Sequence, residues 1–220
     1  GLVSSYLMVK ASEVKMVIAN RVTKDDIQAD ALRKSNLAVL MNNVFDKIDN
    51  ELENNPERNL SEETISRIAA LGYSYKPYRK VLGNVLSKKM LSPERGHLLL
   101  TIAKMNLDST TFAKIKMKTT FAYADLKGSD LRNLDLKRID LKGANLQEAD
   151  LKGTDLSNAH LEDINLWGSN MRKANLSQAS LIGANLKWAN LSNANVKEAN
   201  FSGANLASAT MNKLDFGGAK

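Results

Sequence analysis

The chain has 220 residues and is 43% hydrophobic but only 5% aromatic, so its core is built from aliphatic groups. It has no cysteine, which excludes a disulfide framework, a thiolate metal site and a cysteine nucleophile. The formal charge of +7 sits mainly in residues 1–123, with 19 Lys/Arg against 13 Asp/Glu, whereas residues 124–220 carry 12 against 11; the basic excess reads as a solvated helical surface rather than a nucleic-acid or lipid site.

Residues 1–104 read as an α-helical region. The sequence opens on Gly1 rather than Met, as a piece excised from a longer protein would. Residues 2–22 are assigned to a first helix; Lys10, Glu13 and Lys15 interrupt its apolar run, and no stretch of the chain is long and apolar enough to span a bilayer. Thr23 followed by Asp25 and Asp26 predicts a helix start, and Leu37, Met41, Val44, Ile48 and Leu52 keep helical spacing, giving a helix over 24–53 that Asn54, Asn55 and Pro56 end. Ser61, Glu62 and Glu63 start a helix over 62–71, closed by Gly72. Pro77 opens a predicted helix over 77–89. Ser92-Pro93-Glu94 opens another over 93–104, with proline at its first position.

From Ala124 the sequence divides into fives: ADLKG, SDLRN, LDLKR, IDLKG, ANLQE and onward to LDFGG. The central residues run at unbroken spacing from Leu126 to Phe216, 19 in all, and every one is Leu, Met, Val or Phe. The residue two before the centre is usually Ala. A helix does not explain this, because five residues advance its face by about 140° and would smear the leucines around the axis. A straight strand fails too, since an odd period reverses the inward phase at every repeat. The pattern works if the chain turns once per repeat, with the centre and the residue two before it pointing inward and the Gly- and Asn-rich positions forming corners. Upstream, Leu107, Phe112 and Met117 also fall five apart, so the β region is drawn as 105–220, with 105–123 a degenerate first coil.

ANLQE, ADLKG, ANLSQ and ANLSN resemble the A(D/N)LXX consensus of the pentapeptide-repeat family over residues 124–220. The resemblance implies a right-handed quadrilateral β-helix with four repeats per coil. Centres 20 apart then stack, Phe121 with Leu141, Leu161, Leu181 and Phe201, and Leu136 with Leu156, Leu176, Val196 and Phe216. The whole chain is therefore expected to be a segregated α+β protein, helices first and β-helix second. LSEETISRIAAL, KPYRKVL and LSPERGHLLL bear a weaker likeness to the helical region of bacterial membrane-anchored pentapeptide-repeat proteins. That likeness implies a cytoplasmic-side protein, anchored through a segment absent from this chain.

Few residues invite chemistry. His97 and His160 are the only histidines, and His160 occupies the Asp/Asn position of its repeat. Asp125, Asp130, Asp135, Asp140, Asp150 and Asp155 follow the repeat period with Lys or Arg nearby, which points to turn hydrogen bonds and surface ion pairs rather than a carboxylate site. After Asp155 the position is mostly Asn, which suits amide ladders between coils. There is no His-x-x-x-His, Gly-rich phosphate loop or G-x-S-x-G. No catalytic, cofactor or metal residue is assigned and no cofactor is expected. Trp167, Lys187 and Trp188 stand at outward positions of adjacent coils and form the candidate contact surface; packing against a terminal segment is the competing account of the two tryptophans.

These features describe a non-enzymatic scaffold or spacer for an unknown protein partner, with self-association as one form of that contact and neither a nucleic acid nor a small-molecule substrate expected. The alternative is a DNA-mimicking binder of a type II topoisomerase, as in the quinolone-resistance members of the family. It needs an acidic rod, and 124–220 is close to neutral.

Overall fold

A computed structural model describes residues 23–82 and 85–220. The helix expected over 2–22 lies outside the described residues. Helix α1 spans Lys24–Leu52. Its Thr23 cap is reciprocal: the Thr23 hydroxyl accepts the Asp26 N–H at 3.1 Å and the Asp26 carboxylate accepts the Thr23 N–H at 2.8 Å. Its C-terminal half buries Met41, Val44, Ile48 and Leu52, while Leu32 and Val39 stay exposed. Helix α2, Glu62–Ser74, is capped by Ser61 and buries Ile65, Ile68 and Leu71.

The structure corrects the expected role of Gly72. It lies inside α2 instead of closing it, and a Cβ there would sit 1.9 Å from Thr119 Oγ1. Glycine permits the close approach.

The predicted helix over 77–89 is replaced by an antiparallel hairpin, β1 at Tyr78–Leu82 and β2 at Val85–Leu91. Two reasons are visible. The run Val81-Leu82-Gly83-Asn84-Val85-Leu86 places a two-residue turn sequence between two apolar Val-Leu pairs. The end of β2 also leads straight into Ser92, whose N–H donates to Tyr123 O at 2.8 Å and whose carbonyl accepts the Asp125 N–H at 3.1 Å. Extended backbone is thus fixed by a long-range partner, which local propensity does not register.

Helix α3 spans Pro93–Lys104, capped by Ser92. Helix α4 spans Ser109–Lys118 and overturns the degenerate coil over 105–123. The Asp108 carboxylate accepts the N–H groups of Thr110 and Thr111, a strong helix start, and Ala113, Lys114, Lys116 and Lys118 favour helix. Ile115 faces the core, while Met117, one of the supposed inward centres, is 74% exposed.

The coils begin at Phe121, whose N–H donates to Asp140 O at 3.1 Å. From there parallel bridges join residues 20 apart, Asp125 to Asn145, Asn145 to Asn165, and so on to Asn195 with Asp215. Four repeats therefore make one coil. Each repeat is closed by a turn such as Ser129 N–H to Leu126 O at 3.1 Å, and the third turn residue has positive φ, the type II pattern. Phe121, Leu141, Leu161 and Leu181 form a fully buried column. Leu134, an oversized residue two before its centre, is only partly buried, whereas Ile139 is fully buried in the same role.

The helical region closes one end of this stack. Buried Arg95 donates from Nε to Gly72 O at 2.8 Å and from Nη1 to Ala122 O at 2.5 Å, tying α2, α3 and the first coil together. Leu98, Leu99, Ile102 and Ile115 join the coil interior in one continuous apolar core.

Candidate contact surface on the rod

The repeat fixes where each outward side chain stands. In every coil the first wall ends at a centre (Leu126, Leu146, Leu166, Leu186, Leu206) and the next two residues form a corner. Gly168 N–H donates to Lys187 O at 2.9 Å and Trp188 N–H to Ala207 O at 3.1 Å. Trp167 is therefore stacked on Lys187, and Gly168 on Trp188, at one corner of adjacent coils. Trp167 is half-buried, and Trp188 is 57% exposed.

Trp188 also has φ +63°. That turn position is held by glycine in seven of the repeats and by residues such as Arg138, Glu148, Lys173 and Gln178 in others, all at positive φ, so the left-handed turn is the repeat's own geometry.

The outer wall is a hydrogen-bonded ladder. Asn145 Nδ2 donates to Asp125 Oδ1 at 2.9 Å, Asn165 to Asn145 at 2.9 Å, and Asn185 to Asn165 at 2.9 Å. The same pattern joins Asn170 to Asp150 and, on the third wall, Asn175 to Asp155 and Asn195 to Asn175. Beyond Asp125, each of these Oδ1 atoms also accepts the N–H two residues on, as Asp155 does from Ser157 at 3.0 Å. In each of these pairs the amide gives its Nδ2 toward the preceding coil, so the residue that starts a ladder needs only acceptors. Asp125, Asp150 and Asp155 suit that starting place.

The aspartates behave as structural anions. Arg132 binds Asp130 through two hydrogen bonds and, with the Arg132 N–H, holds that carboxyl down at about 2. Asp135 is pushed up by burial, but hydrogen bonds from the Lys137 N–H and from buried Lys116 outweigh this and lower it overall. In the cap, Glu62 accepts from Lys114 and Lys118, which hold it at about 2.

The two histidines are not brought into one site. His97 packs edge-on against Phe45 in the helical region, with ring centroids 6.3 Å apart, and His160 stands on the rod wall 3.9 Å from Glu162. Among the described residues no cluster of His, Asp and Glu has the form of a metal site, and no helix is long and apolar enough to cross a membrane.

A family profile for pentapeptide repeats matches residues 121–158, 159–197 and 184–220, with eight copies. Residues 121–220 form a pentapeptide-repeat domain. Solved pentapeptide-repeat structures similar to the chain include HetL, involved in heterocyst differentiation regulation in the cyanobacterium Nostoc sp. strain PCC 7120, at 31% identity and TM-score 0.36, over 46% of this chain and 52% of HetL. A second is alr5209 from Nostoc PCC 7120, at 29% identity and TM-score 0.33, over 51% of this chain and 93% of that one. A third is QnrB1, a plasmid-mediated fluoroquinolone resistance protein, at 23% identity and TM-score 0.20, over 44% of this chain and 60% of that one. The chain thus spans about half the length of HetL. Comparison with curated protein sequences gave no match.

One group of outward residues was not singled out by sequence reasoning. Arg132, Lys152, Arg172 and Lys173 fall at the second corner of three successive coils. Writing the sequence in rows of 20 rather than 5 displays the column.

Proposed function

We propose that this pentapeptide-repeat chain is a non-enzymatic scaffold whose rod presents a fixed surface to a protein partner, centred on Trp167, Lys187 and Trp188. The observation that carries this reading is Trp188, a large aromatic that stands at a corner of the rod with more than half of its surface in water. Trp is enriched at interface anchors, where burial by a partner removes a large apolar area from water. The wall behind it is rigid. The corner is tied to the coils before and after it, by Glu148 N–H to Trp167 O at 2.8 Å and Trp188 N–H to Ala207 O at 3.1 Å, so little ordering is left to be done on binding.

The test compares wild type with a Trp167→Ser/Trp188→Ser double variant, by sedimentation for self-association and by pull-down from a lysate of the source cell. The expected result is an unchanged melting temperature with reduced association. A folded double variant with both measurements unchanged removes the contact-surface reading. An unfolded one shows that the tryptophans serve the chain's own packing.

A further inference from the structure

The tryptophan corner does not stand alone. From Trp167 and Gly168 the chain runs through Ser169-Asn170-Met171 along the second wall and turns again at Arg172 and Lys173. One wall therefore lies between an aromatic column and a cationic one. The cationic column is Lys152, then Arg172 with Lys173, stacked because Gly153 N–H donates to Arg172 O at 3.0 Å. Lys152, Arg172 and Lys173 are exposed.

Their charge is not used internally. Arg132, at the same corner one coil earlier, is committed to Asp130 and Asp150. Among the described residues, Lys152, Arg172, Lys173 and Lys187 have no carboxylate at ion-pair distance, while Lys127, Lys137 and Lys197 elsewhere on the rod do. Residues 164–196 contain three cations and not one Asp or Glu. That stretch is therefore positive although the rod as a whole is nearly neutral, and Glu148 and Asp150 in the coil of Lys152 bound it.

We infer that the second wall, between Trp167/Trp188 and Lys152/Arg172/Lys173, is a docking strip for an acidic, apolar-edged α-helix of a partner protein lying along the rod. The inference rests on the scaffold reading and specifies its partner. Charge complementarity sets the acidic side of that helix, and the tryptophans set its apolar side. The repeat sets its form. Successive coils rise about 4.8 Å, and carboxylates three or four residues apart on a helix rise about 4.5–6.0 Å, so each can meet a successive cation. A nucleic acid fits less well. Its phosphates continue in both directions, and one coil beyond Lys152 they meet Asp130 on the same wall.

The probe is a fluorescent Ala-based helical peptide of about 18 residues, with Glu along one stripe and Leu along the adjacent stripe. Controls are the same peptide with Lys for Glu and an oligothymidylate of equal length. Binding to the full chain is measured by anisotropy at about 50 and 200 mM salt. The acidic peptide is expected to bind at least about tenfold more tightly than the Lys peptide, and to weaken with salt. Binding should fall at least about tenfold with Lys152→Glu/Arg172→Glu/Lys173→Glu, and also with the double tryptophan variant. Glu148 and Glu198 already hold the turn position of Lys173, at φ 60° and 57°, so the reversal is compatible with the fold. A Lys152→Gln/Arg172→Gln/Lys173→Gln variant gives the same reading without added repulsion.

Equal binding to wild type and both charge variants overturns the inference, as does no binding of the acidic peptide. Oligothymidylate binding as tightly, and lost in the same variants, replaces it with a nucleic-acid surface. Partner capture from lysate by the charge-reversed chain at wild-type level, alongside loss of capture by the tryptophan variant, leaves the scaffold standing and removes only the acidic partner.

Discussion

The helical cap and the repeat rod are built on opposite principles. In the rod each residue's neighbours are found by adding or subtracting 20, so every bond is a copy of the last, from Leu126 N–H to Asn145 O through to Leu191 N–H to Thr210 O, both at 2.8 Å. In the cap almost nothing repeats. Arg95, Gly96, Gly72, Ser92 and Thr119 each have a single task at the joint with the first coil. A repeat array spreads its stability over many equivalent contacts between neighbours. A cap concentrates its own in a few contacts with no substitutes.

The largest effect is expected where the rod's interior is charged. Leu161 is fully buried between Leu141 and Leu181. Leu161→Asp places a carboxylate with no partner in that column and should cost roughly 4 kcal/mol or more. Lys142→Ser, on an exposed corner of the same rod, should stay within about 0.5 kcal/mol. Melting temperatures of the two variants measure the contrast; equal values would show that the inward register is wrong.

Gly96→Ala probes the joint. A Cβ at Gly96 would lie 2.2 Å from the Asp125 carbonyl oxygen, which is backbone and not free to swing aside. The cost is expected at about 1–3 kcal/mol. Its distribution matters more than its size. Hydrogen exchange should quicken in α3, in the hairpin and at Ser92, and stay slow around Leu161 and Leu181. Uniform quickening over both regions would show that cap and rod open as one unit.

How much of this was legible in the sequence follows the same division. The five-residue period displayed the rod, its inward columns and its Asn ladder, because a repeated unit repeats its evidence. The starts of α1, α2 and α3 were legible from Thr23, Ser61 and Ser92-Pro93, whose caps are local. The hairpin was missed because Pro77 as a helix start outweighed the Gly83-Asn84 turn signal, and because Ser92 is held extended by Tyr123 and Asp125, more than 30 residues on. Helix α4 was missed because Leu107, Phe112 and Met117 share the rod's spacing by coincidence, while the local signal, Asp108 capping Thr110 and Thr111, pointed to a helix. The candidate surface was half legible. The tryptophans stood out by type, but the cationic corner appears only when corners are stacked by coil.

A smaller effect separates the start of a ladder from its middle. Asn165 gives its Nδ2 to Asn145 Oδ1 and receives that of Asn185. Asn165→Asp removes the donor and sets a carboxylate oxygen against another acceptor, at an expected cost of about 1–2 kcal/mol that shrinks below pH about 4, where the new carboxyl is protonated and can donate. Asp125→Asn, at the start of the same ladder, keeps the acceptor that Asn145 uses and loses the ion pair with Lys80. That pair is partly exposed, so less than about 1 kcal/mol is expected. Thermal unfolding at pH 7 and pH 3.5 should show a pH-dependent gap for the first variant relative to wild type, and little for the second.

The last contrast lies within the rod and has the opposite sign. Two positions before each centre the residue points inward, and Ala is the usual choice. Thr154 departs from this and satisfies its hydroxyl by donating to Leu131 O at 2.7 Å. Ser169 departs too, but its buried Oγ has no hydrogen-bond partner among the described residues. A hydroxyl buried without a partner loses its hydration and gains nothing in return. Ser169→Ala removes that atom and leaves the side chain that Ala149 and Ala189 already carry in the coils on either side. The variant should therefore gain about 1 kcal/mol, while Thr154→Ala should lose a similar amount with its hydrogen bond and methyl group. Chemical denaturation of the pair decides it. Two shifts of opposite sign mark satisfied and unsatisfied polar groups inside one repeat, and a loss in both would show that Ser169 has a partner on the inner wall.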